Sequence, residues 1–332
     1  MTPQFRNRWC IVTADGHGPE WTSAARLNNN CRGRPLPVQY CRLRDSSTLL
    51  QKALRRAARI APSNQIAVSV LGDYREHWEP SLWFTSPVNR FVSGNRAVPS
   101  LATAAALLSI ARESPSSIVT LLPARCHVEH ESTLVAMVEQ SIALLPLVSE
   151  GVITLAMVDM HEGIDEDYLI TARARTGPGF TIQGYARQPV HWVAHHLWRQ
   201  GAAIASGVTV GYAGVLAAHL SKHWPGVTDQ LSKVTAEALK ARVECKVPAE
   251  LPRGVRRPML RTLPWQSPSL PQRALRIFRC GWSSLKSPRA VERIIAFIED
   301  STDDHGQIPA SHRLQGPGRI LEMGNDLRPA SP

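Results

Sequence analysis

Short, wholly apolar runs alternate along this chain with longer segments that are apolar on one helical face, and that alternation restricts the folds open to it. Residues 9–13 (WCIVT) are apolar and β-branched, as a buried first strand should be. Residues 47–61 read as a helix with Leu49, Leu50, Ala53, Leu54, Ala57, Ala58 and Ala61 on the apolar face and Arg55, Arg56 and Arg59 outside. A second strand follows at 65–71, an Ala-rich helix at 101–111, and a fully buried strand at 117–122 that stops at Pro123. Residues 131–145 form a further helix and 151–157 a fourth strand. Strands separated by helices of this length predict an α/β protein with a mostly parallel central sheet and right-handed crossovers. Ligands in such sheets sit beyond the C-terminal strand ends, which here are 14–20 and 123–131.

The second half is more mixed, with strands near 168–174, 180–186 and 203–211 and helices near 213–222 and 228–243. The prolines of 247–271 make that stretch a long loop, and 287–299 is a last amphipathic helix. The tail is polar and carries Gly and Pro, so we expect one domain over 1–300 and a disordered segment over 301–332. There is no internal repeat.

The first strand feeds a turn that is small-residue in part. Ala14, Gly16 and Gly18 are suited to turning backbone N–H groups toward a phosphate, whereas Pro19 has no N–H and Glu20 would repel polyphosphate. The net charge of +11 suits a phosphate-rich partner. However, the 38 basic residues are scattered and nearly all arginine, as in proteins of high-GC bacterial genomes, so nucleic acid is the weaker expectation. Cysteines 10, 31, 41, 126, 245 and 280 show no CxxC pair, and with no secretory signal they read as reduced thiols of a cytoplasmic protein. Residues 200–221 lack charged side chains, yet they are mostly Gly, Ala, Ser and Thr, too weakly apolar for a membrane span. We expect no membrane partner.

Residues 34–61, RPLPVQYCRLRDSSTLLQKALRRAARIA, resemble the PKQYCRL…SLLQxTLxRAxxL segment of bacterial mannose-1-phosphate guanylyltransferases, members of the sugar-phosphate nucleotidyltransferase family. The similarity continues in family order over roughly residues 8–298. It takes in YREHWEPSLW at 74–83, LLPARCHVEHE at 121–131 (family LPSDHxVxxE), GVITLAM at 151–157 and YARQP at 185–189 (family FxEKP). It ends with GAAIASGVTV at 201–210 (family GALWNSxIFV) and CGWSSLKSP at 280–288 (family GWSDLGTP). The resemblance implies a Rossmann-like nucleotidyltransferase fold without a C-terminal β-helix. It also implies the chemistry of joining a nucleoside triphosphate to a sugar 1-phosphate with Mg²⁺. Ala14, Gly16, Gly18 and Gln39 are the positions it assigns to nucleotide binding, with GTP or a sugar phosphate as ligand.

Position by position the charges of that apparatus are missing. In the family's AGGxGTRL loop one Gly is Asp15, the Thr is Pro19 and the Arg is Glu20. The PKQ lysine is Val38, and the Gly-Thr-Ala of the NRGTA element is lost in GNRAVPSLA at 94–102. The metal-binding Asp of PSDH falls on Arg125, and the second metal carboxylate aligns loosely with Gly254. The Glu and Lys of EKP are Arg187 and Gln188, the Asn of WNS is Ala205, and the Asp of GWSDLG is Ser284. Losing one such group costs a few kcal/mol of transition-state stabilisation. With the loop Arg, the Lys and both metal carboxylates gone together, we expect no catalytic residues and no Mg²⁺ ligands. Glu20 and Arg125 are expected to have exchanged roles and to pair.

Other clusters have plainer readings. His191, His195 and His196 share a helix but lack a third ligand; Cys126, His127 and His130 stand where the family's catalytic loop would be. Arg253, Arg256, Arg257 and Arg261 beside Trp265 lie in the Pro-broken loop. Three function classes remain open. They are a non-catalytic nucleotidyltransferase-like protein that binds a nucleotide or acts on an active paralogue or a second copy, an active enzyme with rearranged groups, and a basic polyphosphate or nucleic-acid scaffold.

Overall fold

The computed structural model describes residues 7–16, 36–43, 46–94, 100–149, 151–158, 165–172, 177–248, 252 and 272–303, with the backbone alone for 298–303. The chain begins with β1 (Arg8–Thr13), α1 (Leu49–Ala58), β2 (Ile66–Leu71), α2 (Arg75–Trp78) and β3 (Arg90–Ser93). It continues through α3 (Leu101–Glu113), β4 (Ile118–Pro123), β5 (Cys126–Val128), α4 (Glu131–Leu144) and β6 (Val152–Val158). Next come β7 (Tyr168–Thr171), β8 (Phe180–Ala186), α5 (His191–Arg199), β9 (Ala203–Tyr212), α6 (Ala213–His223) and α7 (Pro225–Ala241). It ends with β10 (Cys245–Val247), β11 (Arg273–Phe278), β12 (Trp282–Ser284) and α8 (Pro288–Asp303).

One ten-stranded sheet runs β10-β3-β2-β1-β4-β9-β6-β11-β8-β7, and β7 pairs with β9 as well, closing the last five strands on themselves. β1 and β4 are inner strands. Adjacent residues of β1 point to opposite faces: Cys10 and Val12 join a core with Leu50 and Leu54 of α1 and Leu134 and Val138 of α4. Ile11 joins the core built by α3, α6 and α7, with Leu107, Leu216 and Leu231. Helices thus cover both faces, so β1 and β2 are apolar without alternation.

The sheet is mixed, which corrects the expectation of a mostly parallel one. The strands β10, β3, β2, β1 and β4 are mutually parallel, as are β6 and β11. β9 runs antiparallel to both β4 and β6, β8 to β11, and β7 to β8 and β9. A local cause is visible between β7 and β8. Residues 172–179 are too few for the dozen or so that a parallel crossover needs, so the two strands return antiparallel.

Arg56 also departs from expectation. It was placed outside α1 and is only 2 % exposed. Its guanidinium turns inward to the Glu131 carboxylate, with Nε and Nη2 donating at 2.6 and 2.7 Å, and Nη1 donates to Cys126 Sγ at 3.6 Å. A fork donor with a matched acceptor can be buried where a lone charge cannot. α1 starts with a capping box, Thr48 Oγ1 accepting from Gln51 N at 3.1 Å and Gln51 Oε1 accepting from Thr48 N at 2.9 Å. α8 continues to Asp303, into the segment expected to be disordered; residues 304–332 lie outside the described residues, as does 247–271 apart from 247, 248 and 252. Among the described residues no helix is long and apolar enough to cross a membrane. Cys10, Cys41, Cys126, Cys245 and Cys280 are buried free thiols; Cys31 lies outside the described residues.

Candidate functional site

Where β1 and β4 end, side by side with Thr13 opposite Pro123, the chain opens into a cavity of about 160 Å³. Its walls include Thr13, Asp15, Gly16, Thr103, Arg125, Thr154, Asp167, Tyr185, Arg187, Ala205, Ser206, Ser284 and Lys286. The turn after β1 is held from behind. Ala14 N donates to Ser69 O at 2.9 Å, and Gln39 Nε2 donates to Ala14 O at 3.0 Å and Gly16 O at 2.8 Å. Tyr40 Oη donates to Ala14 O at 3.1 Å and accepts from Leu71 N at 3.2 Å. Of the four expected binding residues, Gly16 lines the cavity, Ala14 and Gln39 are fully buried behind it, and Gly18 lies outside the described residues.

Two charged side chains that replace family residues meet here. Asp15 is buried, its carboxylate accepting from Thr103 N at 3.2 Å and Thr103 Oγ1 at 3.1 Å. Burial pushes its carboxyl up to about 6, against the hydrogen bonds from Thr103 and Ser69. The Arg125 guanidinium lies against Gly16, so near that a Cβ there would sit 2.9 Å from its Cζ and Nη2. Burial pulls Arg125 down from the usual guanidinium range, and the charges of Asp15 and Asp167 oppose that pull. Glu20, the expected partner of Arg125, lies outside the described residues; Asp15 and Asp167 are the acids whose charge acts on Arg125.

The far wall is a seam between residues 165–167 and the segment after β12. Asp165 Oδ2 accepts from Ser287 Oγ at 2.9 Å, and Asp167 Oδ2 accepts from Lys286 Nζ at 2.7 Å. Glu166 accepts from Ser284 N at 3.2 Å and from Ser284 Oγ. Its carboxyl is raised mainly by burial, with Lys286 opposing. Ser284, at the position where the resembled family has an aspartate, therefore meets a carboxylate from the segment just before β7. Thr154 Oγ1 donates to Gln272 Oε1 at 2.7 Å on the cavity floor, and exposed Arg187 stands at its rim.

This donor set does not fit the Mg²⁺ that the resemblance implies. A guanidinium stands at the expected carboxylate, Asp15 is engaged by Thr103 and Asp167 by Lys286. Val38, at the lysine position, is fully buried among Leu49, Leu285 and Val291. Among the described residues no group of three His, Cys, Asp or Glu side chains is arranged to hold a metal. His196 Nε2 lies 2.9 Å from Gln200 Nε2 on α5, and His130 is exposed beside Glu129. Burial raises the Cys126 thiol, whose Sγ donates to Pro123 O at 3.2 Å, which disfavours a nucleophile. Gly254, the basic cluster 253–261 and Trp265 lie outside the described residues.

Sequence reasoning missed Thr103, Glu166, Asp167, Tyr185 and Lys286. Signals existed for some: a lone Thr in an Ala-rich helix, and the acid run 165–167 that answers the SSLK of 283–286.

No protein-family model and no curated protein matches the sequence. Solved structures do. A mannose-1-phosphate geranyltransferase from Thermus thermophilus superposes with a TM-score of 0.64 at 18 % identity, over 87 % of this chain and 79 % of that one. A mannose-6-phosphate isomerase from Helicobacter pylori gives 0.52 at 12 % identity, over 83 % and 99 %. An apo UDP-glucose pyrophosphorylase gives 0.51 at 12 % identity, over 89 % and 99 %. At such identities the likeness is one of fold: the chain shares the mixed α/β fold of these structures.

Proposed function

We propose that this chain is a non-catalytic relative of the mannose-1-phosphate guanylyltransferases, one that binds a nucleotide or sugar phosphate at the former active site. It would act through that binding, alone or on an active paralogue. The observation that carries the reading is Arg125, whose guanidinium lies over Gly16 where the family pattern calls for a metal-binding aspartate. Catalysis of phosphoryl transfer is mostly positioning and countercharge, so a site without metal carboxylates or the loop arginine loses rate.

The test is incubation of the purified chain with GTP, mannose 1-phosphate and Mg²⁺, reading GDP-mannose by chromatography. No product is expected. Arg125→Asp alone is expected to rescue nothing, because Val38 and Glu20 leave the triphosphate unclamped. Robust turnover by the unmodified chain would overturn the reading and favour an active enzyme with rearranged groups.

A further inference from the structure

We infer that a second cavity, near the N-terminal ends of β1, β2 and β3, binds a small organic cation, a protonated amine on an apolar body. This cavity measures about 330 Å³, near the lower end of the roughly 300–1,000 Å³ usual for small-molecule sites. It shares no lining residue with the cavity beyond β1 and β4, so a ligand here is separate from the proposed nucleotide or sugar phosphate. Three parallel strands make the floor. Trp9, Ala67 and Phe91 are the second residues of β1, β2 and β3, and all three pack into the core built by α3, α6 and α7. Ala67 is the reason space remains, because the strand between the two aromatic side chains offers a single methyl group. Ile110 of α3 and Leu239 of α7 complete the apolar lining.

Charge decides what fits. Among the described residues Glu113 is the one charged side chain on the wall, in a chain whose net charge is +11. Glu113 is the last residue of α3, and Leu239 lies in the last turn of α7, so the electronegative ends of two helices reach the same cavity. Arg112 and Lys240, the basic residues of those turns, are exposed and do not line it. Arg90, beside Phe91, donates to the carbonyl oxygens of Leu82 and Thr85 at 2.7 and 2.8 Å. Asn89 is buried, and its Nδ2 donates to Asn64 O at 3.0 Å, which leaves Oδ1 to accept from a ligand. Ser86 and Ser109 add hydroxyl acceptors on the wall. A carboxylate and these acceptors answer the N–H groups of an ammonium, and the rings of Trp9 and Phe91 add cation–π attraction for it. An anion would meet no positive side chain on this wall.

Calorimetry of the full chain at neutral pH tests the inference, with phenethylamine as probe and phenylethanol and phenylacetate as its neutral and anionic counterparts. The amine is expected to bind, the alcohol to bind about tenfold more weakly, and the acid to give no heat. Glu113→Gln should weaken the amine about fivefold, the upper scale of an exposed ion pair, with the affinity for the alcohol unchanged. Ala67→Leu fills the floor and should abolish binding of both, with an unchanged circular dichroism spectrum. If Ala67→Leu does not fold, Ser109→Leu narrows the cavity from the α3 side and decides in its place. No heat with the amine, or binding of the alcohol or the acid as tight as that of the amine, would overturn the inference. Parent affinity for the amine in Glu113→Gln or in the folded filling variant would do the same, since the cation would then be held elsewhere.

Discussion

At Asp15 two effects compete for one proton. Burial raises the cost of ionisation, the bonds from Thr103 and Ser69 lower it, and burial wins by moving the carboxyl from 3.8 to about 6. The folded pKa exceeds the unfolded one, so this group's contribution to stability is fully present below 3.8 and is lost as pH rises through about 6. Asp15→Asn keeps an acceptor for Thr103 and removes the titration. Urea unfolding should show the variant more stable near neutral pH by about 1–3 kcal/mol, with the gap closing in acid. A gap that stays constant with pH would show that Asp15 is not the group responsible. Arg56 obeys a different balance, because its side chain is 1 % exposed and that of its partner Glu131 is 33 % exposed. Removing the acid strands a buried cation; removing the base leaves a carboxylate that water can reach. Glu131→Ala should therefore cost about 3 kcal/mol and Arg56→Met about 1 kcal/mol, measured by denaturant midpoints. The reverse order would mean that packing of the arginine stem outweighs its charge.

Elements were legible where a local pattern carried them. β8 was expected at 180–186 and is Phe180–Ala186; α3, α4, β6, β9 and α6 agree with their expected spans within a few residues. The misses have physical reasons. β11 reads RALRIF, and its arginines hide a strand until their partners are known: Arg273 donates to Thr181 Oγ1 at 2.8 Å, and Arg276 lies 4.3 Å from the centre of the Phe180 ring. β3, β5, β10 and β12 are four residues or fewer, shorter than any periodicity can mark. The bend of β9 also depends on tertiary contact. Gly207 has φ +77° and faces Pro123 at the end of β4, where a Cβ would approach Pro123 Cγ to 3.0 Å; register with β6 shifts across this segment. Gly207→Ala should cost about 1–2 kcal/mol, because the left-handed conformation and the close approach both oppose a side chain. Differential scanning calorimetry would read it as a lowered Tm, and an unchanged Tm would show that β9 can relax there.

Taken whole, the molecule sets a parallel half, β10 to β4, against five strands closed on themselves, and the cavity lies where the two meet. The parallel half supplies Thr13, Asp15 and Arg125, local to motifs that a reader of the sequence can find. The closed strands supply Asp167 and Tyr185, whereas Lys286 follows β12, which pairs with β5 apart from the large sheet; the bond between Asp167 and Lys286 joins residues far apart in the chain. That is why one wall of the site was readable and the other was not. The same arrangement makes ligand binding a stability effect of the whole fold, since the proposed sugar phosphate would bind in a cavity lined by both halves and has no such site in the unfolded chain. At a mannose 1-phosphate concentration about 100 times its Kd the folded state gains about 2.7 kcal/mol. For a chain of this size that is a rise of roughly 5 °C in Tm. The rise should shrink in Gly16→Ala, whose Cβ would press on the Arg125 guanidinium and reshape the cavity both residues line. A rise that mannose alone reproduces would show that the phosphate contributes nothing to binding, and no rise at all would count against a sugar-phosphate site here.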